Sequence, residues 1–215
     1  MNHKGELLKT INKASGLKSE IINAFCEDQQ MGLWLALDIG ITRVEINSGF
    51  QSLDEKEGIE GIVNAVVSFN HKIYCGTTKG LYEIENNQVK KINNFNNDVR
   101  YLLKTGDRDV DFILVVTEIG TYKLDHRNVL TKLNTEDGIF ITKINKSNDE
   151  YLIGTMTGLS KFNKLDNKTT PLISSIPEAR RVVEDDLGNI WIGTSHNGVC
   201  KISNLNAKIP SIVYY

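Results

Sequence analysis

One short phrase returns five times along this chain, and it limits the fold more than any other feature. The phrase is a bulky apolar anchor, an apolar residue, a small residue and Thr, then a short polar loop, Gly, and an apolar–any–charged–apolar run. It reads Trp34-Leu35-Ala36-Leu37 with Gly40-Ile41-Thr42-Arg43-Val44, then Tyr74-Cys75-Gly76-Thr77 with Gly80-Leu81-Tyr82-Glu83-Ile84. It returns as Leu114-Val115-Val116-Thr117 with Gly120, as Leu152-Ile153-Gly154-Thr155 with Gly158, and as Trp191-Ile192-Gly193-Thr194 with Gly198. The anchors are spaced by 40, 40, 38 and 39 residues and the glycines by 40, 40, 38 and 40. A repeat of this length with Gly and aromatic markers suits a propeller blade, while helical repeats of similar length are the competitor.

The local pattern excludes helices. Each unit holds runs of about 5 to 8 alternating or β-branched residues divided by Gly, Asn and Asp. In the second unit the spacing predicts strands over 63–69, 73–77, 81–85 and 88–92, with breaks short enough for hairpins. The expected fold is an all-β propeller of five four-stranded antiparallel blades in a single domain. The blades cover roughly 20–60, 61–96, 97–136, 137–176 and 177–215, with an extra strand at 6–12. That left-over strand favours a segment of a larger ring, such as one of about seven blades, over a self-contained five-bladed one. An open segment exposes sheet faces and edges and invites self-association.

The phrase has physical reasons. A small residue after the anchor (Ala36, Gly76, Gly154, Gly193) is expected to let neighbouring blades approach, with Val116 departing from the pattern. The Gly that opens the third strand suits a positive φ or a tight bend. Arg43, Glu83, Lys123, Lys161 and Lys201 precede apolar residues, so alternation is expected to turn them to a solvated face.

Composition narrows the function. Hydrophobic residues make up 40% and charged residues 24%, enough to bury a core. The net charge of −2 and scattered Lys and Arg argue against nucleic acid as a partner. No apolar run approaches the ~18 to 20 residues of a membrane span, so direct membrane insertion is not expected. The chain as given reads without a signal peptide. Cys26, Cys75 and Cys200 lack a disulfide or zinc spacing and read as small buried hydrophobes.

The fifth unit, which runs Arg181-Val182-Val183-Glu184-Asp185-Asp186-Leu187-Gly188-Asn189-Ile190-Trp191-Ile192-Gly193-Thr194, closely resembles the two-component regulator propeller repeat. Units two and four keep its Gly-Thr half, and the lead-in at 16–23 is also similar, so the resemblance covers about 6–214. It implies the extracytoplasmic or periplasmic sensor part of bacterial hybrid histidine kinases, many of them detecting glycan breakdown products, with a membrane kinase as partner. The chain shows no transmembrane helix, kinase core, receiver or DNA-binding helices, so signalling output is not expected in it.

Catalytic groups are scarce, and no enzyme activity, metal or cofactor is expected. His3, His71, His126 and His196 share no metal-ligand spacing, and Ser195-His196 is only an adjacency. Asp107, Asp109 and Asp111 superficially suggest a calcium loop but lack its Gly and Glu, and read as a polar turn. Residues 186–191 resemble the tail of the sialidase Asp-box, a structural hairpin in both families. The better candidates are positional: Asn23, Asn64, Arg100, Thr142 and Arg181 start the inner strands, and a radial arrangement gathers them at one channel mouth. The same face is expected to carry Asp38, Lys79, Glu118, Thr157, His196 and Asn197 from the loops between second and third strands. This face is expected to bind a small polar ligand such as an oligosaccharide. A protein-binding or self-associating scaffold is the first rival, and a propeller lyase or glycosidase the second.

Overall fold

A computed structural model describes residues 10–29, 32–45, 53–86, 88–106, 110–145, 147, 149–176, 178–205, 207 and 210–215. The chain forms two compact units, residues 1–52 and 53–215. In the first unit, β1 (Ile22–Glu27), β2 (Gly32–Leu37) and β3 (Gly40–Glu45) form one antiparallel sheet. Leu17 packs on one side of it against Leu35 and Leu37. The strand expected at 6–12 lies mostly outside the described residues; Thr10–Asn12 are irregular and lead into a 3-10 turn at Lys13–Ser15. Residues that could add a fourth strand after β3 also lie outside the description.

The second unit contains four four-stranded antiparallel sheets in chain order. They are β4–β7 (Val63–Phe69, Lys72–Thr77, Gly80–Glu85, Gln88–Lys91) and β8–β11 (Val99–Lys104, Ile113–Thr117, Gly120–Leu124, Leu130–Lys132). The other two are β12–β15 (Gly138–Lys143, Glu150–Thr155, Leu159–Asn163, Lys168–Ile173) and β16–β19 (Ala179–Glu184, Ile190–Thr194, Val199–Ser203, Ser211–Tyr214). Their first strands β4, β8, β12 and β16 adjoin one another in sequence, so the sheets fan as consecutive propeller blades. The fold is an all-β propeller, and each repeat unit is one blade.

Consecutive blades pack face to face. Tyr74 of the second blade is buried with Leu102, Ile113, Val115 and Tyr122 of the third. Leu114 and Val116 meet Ile141, Tyr151, Ile153 and Phe162. Leu152 meets Ile190, Ile192, Cys200 and Ile202. The anchors Tyr74, Leu114 and Leu152 are therefore buried at the three seams, each such side chain stabilising the fold by about 1.5–3 kcal/mol.

The charged row of the repeat does not form the solvated face expected of it. Arg43, Glu83, Lys123, Lys161 and Lys201 pair directly across the strands with the anchors Trp34, Tyr74, Leu114, Leu152 and Trp191, so they share the anchor face. Glu83 is buried and accepts hydrogen bonds from Tyr74 Oη at 3.2 Å and from Asn128 Nδ2 of the next blade at 2.6 Å, with Lys72 at 3.3 Å. Burial alone would raise its pKa, but the bonds from Asn128 and Lys72 outweigh this and hold it below the ordinary carboxylate value. Lys123 lies over the Phe112 ring and donates to Asn167 of the following blade at 3.4 Å. Arg43 pairs with Asp28, Lys161 with Glu150, and Lys201 lies over the Trp191 ring. Alternation set the side correctly relative to the neighbouring residues; which side a following blade covers is a tertiary matter.

The Thr of the phrase closes the second hairpin. Thr77, Thr117, Thr155 and Thr194 Oγ1 each donate to the carbonyl of Gly80, Gly120, Gly158 and Gly198. The same oxygens accept backbone N–H bonds from Lys79, Ile119, Thr157 and Asn197. Gly80 takes a φ of 146°, whereas Gly158 is fixed by the close approach of the Ile173 carbonyl.

The glycines two places after the anchor differ in cause. A Cβ on Gly76 would meet Val99 of the next blade, as expected; one on Gly154 would meet Phe140 of its own sheet, and one on Gly193 meets nothing. Cys75 and Cys200 are buried, but Cys26 is exposed, against expectation.

In the fifth blade Asp185 accepts bonds from the backbone N–H groups of Leu187 and Asn189, from Asn189 Nδ2 and from Trp191 Nε1. The Trp191 bond leads in lowering its pKa to about 2. Asp28 accepts from Gly32 N and Trp34 Nε1 at the same offsets, so the two Trp-anchored blades share one bonding pattern around their Asp.

Two predictions follow from these contacts. Gly76→Ala is expected to cost about 1–3 kcal/mol in urea unfolding, and Gly193→Ala to stay within about 0.5 kcal/mol. Because the folded pKa of Asp185 lies below its unfolded value, its stabilisation is present above about pH 4 and is lost as pH falls towards 2. The melting deficit of Asp185→Asn should therefore shrink over that interval; a constant deficit would contradict the charge-assisted turn.

Candidate functional site

The first strand of every blade carries the same irregularity. Its pairing with the second strand shifts between Ile22 and Ala24, Val63 and Ala65, Val99 and Tyr101, Gly138 and Phe140, and Ala179 and Arg181. One residue is thereby left over opposite the end of the phrase, which is the geometry of a β-bulge that re-aims a side chain. The extra residues are Asn23, Asn64, Arg100, Ile139 and Arg180. In the second unit four of them come together: Asn64, Arg100, Ile139 and Arg180, with Thr78, Asp98 and Arg181, line a cleft of about 530 Å³.

A polar network ties the cleft to the seams. Asn64 Nδ2 donates to Asp98 Oδ1 at 3.0 Å and to the Val99 carbonyl at 3.1 Å, joining the second and third blades. Arg100 donates from Nε to Asp98 at 3.3 Å, and from Nη1 to Asp137 and to the Gly138 carbonyl, joining the third and fourth. Arg180 Nη2 donates to Glu178 at 3.0 Å and Nε to Ser195 Oγ at 2.6 Å. The Ser195 bond, followed by Arg180 and the nearby His196, holds the Glu178 carboxyl below its ordinary pKa. Arg181 lies over the Tyr101 ring, 5.9 Å from its centre.

Of the residues expected from sequence, Asn64, Arg100 and Arg181 line this cleft. Asn23 is exposed on β1 in the first unit. Thr142 does not join them: it lies three residues beyond the bulge and lines a separate cleft of about 230 Å³ with Lys143, Val182 and Glu184. Its place is taken by Ile139, because the extra residue sits at the start of β12. Lys79, His196 and Asn197 are exposed on second hairpins, as are Asp38 and Thr157, while Glu118 is half-buried; none of them lines the cleft.

Sequence reasoning missed Asp98, Thr78, Ile139 and Arg180. A signal existed for the bulge positions: each follows an apolar or small residue (Val63, Val99, Gly138, Ala179) that pairs with the hairpin Thr. Residues 107–109 lie outside the description. Asp111 is buried and pairs with Lys164, and no group of three or more His, Cys, Asp and Glu that could hold a metal occurs among the described residues. Nor, among them, is any helix long and apolar enough to cross a membrane.

No protein-family model matches the chain, and no curated protein matches it. Solved structures do. The extracellular domain of BT3049 from B. thetaiotaomicron, described as a hybrid two-component system, aligns with a TM-score of 0.55 at 20% identity, over 96% of this chain and 32% of that one. The extracellular domain of BT4673 from the same organism, also described as a hybrid two-component system, gives 0.59 at 17% identity, over 93% and 28%. The β-propeller domain of Cps50 (Swd1) from Myceliophteria thermophila gives 0.52 at 10%, over 89% and 70%. The chain thus spans about a third or less of the two extracellular domains. At these identities the likeness is one of fold, a β-propeller. It agrees with the resemblance of the fifth unit to the two-component regulator propeller repeat.

The network separates structural from available groups, and this can be measured. Arg100→Ala removes bonds to two carboxylates and is expected to destabilise the chain by about 1.5–3 kcal/mol in urea unfolding. Arg181→Ala, which breaks no ion pair among the described residues, should stay within about 0.5 kcal/mol.

Proposed function

We propose that this chain is a ligand-sensing propeller segment, without catalytic activity of its own, that binds a small polar molecule such as an oligosaccharide. The observation that carries the reading is the repeated bulge, which aims one extra residue per blade into a single polar cleft. Two of the surplus residues, Asn64 and Arg100, also tie neighbouring blades together, and bulges at such rims commonly serve to re-aim side chains towards a site. The carboxylates at the cleft (Asp98, Asp137, Glu178) are each held by a guanidinium, an arrangement for positioning rather than for proton transfer. Placement outside the cytoplasmic membrane, with a membrane kinase as partner, accords with the sensor repeat and with the extracellular domains the fold resembles.

A second reading, a scaffold that associates with a second copy of itself, is favoured by the anchor face of the fifth blade. There Val183 (66%), Val213 and Tyr215 (70%) are exposed, while the anchors of the second, third and fourth blades are buried at seams. Light scattering on purified protein separates the two, since a monomer at high concentration removes the scaffold reading.

The sensing reading is tested by thermal shift against a panel of neutral and acidic oligosaccharides. A true ligand at a hundredfold excess over Kd adds about 2.7 kcal/mol, several degrees in a chain of this size. The Asn64→Ala, Arg181→Ala double variant should lose that protection. Protection unchanged in the variant, or absent throughout the panel, rejects the cleft as the site.

A further inference from the structure

The three guanidiniums of the cleft are not equivalent. Arg100 is engaged by two carboxylates, Asp98 and Asp137, and by the Gly138 carbonyl. Arg180 is held by Glu178 and Ser195. Arg181 makes one hydrogen bond, from Nη1 to the Arg180 carbonyl at 2.9 Å, and rests over Tyr101. Among the described residues no carboxylate pairs with it. Its guanidinium is planar, permanently charged and carries further donors along the edge not used by Arg180. The ring beneath is itself held, because Tyr101 packs against the hydrophobic clusters of the third–fourth and fourth–fifth seams. A stacked guanidinium with an open edge has lost part of its conformational freedom before anything binds, which favours bidentate capture of an oxyanion.

Another lining group has the opposite character. Asp98, which accepts from Asn64 Nδ2 and Arg100 Nε, keeps carboxylate lone pairs that accept hydrogen bonds from hydroxyl groups. Ile139 also lines the cleft, as an apolar contact. The cleft therefore offers both hydroxyl-accepting groups and an oxyanion-accepting guanidinium.

We infer that the ligand carries a carboxylate or sulfate group paired with Arg181 and hydroxyl groups turned to Asp98 and Asn64: an acidic sugar, bound in one orientation. This rests on the cleft being the binding site. The carboxylate and sulfate sources share the chemistry of a planar or trigonal oxyanion edge, and separate probes tell them apart.

The experiment is calorimetric titration of the full chain with digalacturonate, with the neutral digalactose of the same linkage, and with galactose 6-sulfate, each at low and high salt. At least one acidic probe is expected to bind about tenfold or more tightly than digalactose, with the advantage reduced at high salt. Arg181→Gln should remove that advantage without changing the melting temperature, and the better acidic probe identifies carboxylate or sulfate as the group. Equal binding of digalactose, or an acidic preference that survives Arg181→Gln, overturns the inference while leaving the cleft as a site. If none of the three binds, the inference falls; the cleft falls with it only if the oligosaccharide panel also gives no protection.

Discussion

The structure depends on the seam between consecutive sheets. A lone four-stranded sheet of this size has two faces and can hide neither, so it has little stability of its own. Here the anchor face of one blade meets the opposite face of the next, and each seam buries an anchor with a set of aliphatic and aromatic side chains. The seams are not purely apolar. In the second and third blades the charge beside the anchor reaches the turn of the following blade, where Glu83 meets Asn128 and Lys123 meets Asn167. Both asparagines occupy left-handed turn conformations, at φ of 61° and 54°, so the turn chemistry of one blade is coupled to the charge of its neighbour. Such pairs add little net energy against their desolvation.

From the seam follows the cleft. Fanning the sheets brings their first strands side by side, and the bulge at the same point in each then places one surplus residue beside the next. Asn64 and Arg100 use their side chains to cross from blade to blade, so the rim is part of the fold's cohesion as well as a candidate binding surface. Arg181 stands apart because its contact, Tyr101, belongs to a blade two positions away.

How far the site was legible follows from what varies between repeats. Counting back from the anchors reaches Asn64, Arg100 and Arg181 because the first hairpins of those blades can be measured against the phrase. It lands one residue past the bulge in the fifth blade, on Arg181 instead of Arg180, and three past it in the fourth, on Thr142 instead of Ile139, because the length of the first hairpin varies between blades. Asp98 precedes its strand and carries no periodic mark; only its hydrogen bonds to Asn64 and Arg100 reveal it. The charged row was visible and its alternation correct, but its environment was not, since a period of two says which residues share a side and nothing about what covers that side.

The sequence alone determined the repeat, its length, the strands within it and the hairpins that join them. These are local matters: alternation, turn residues and the Thr that bonds across a few residues to its own Gly. What only the tertiary structure decided is which face of each sheet is buried, why one glycine is required while another is free, and which surplus residues meet in one cleft. Those depend on sheets some forty residues apart in the chain being pressed together. Contacts over that distance are selected by packing and charge between blades, which no single blade's pattern contains.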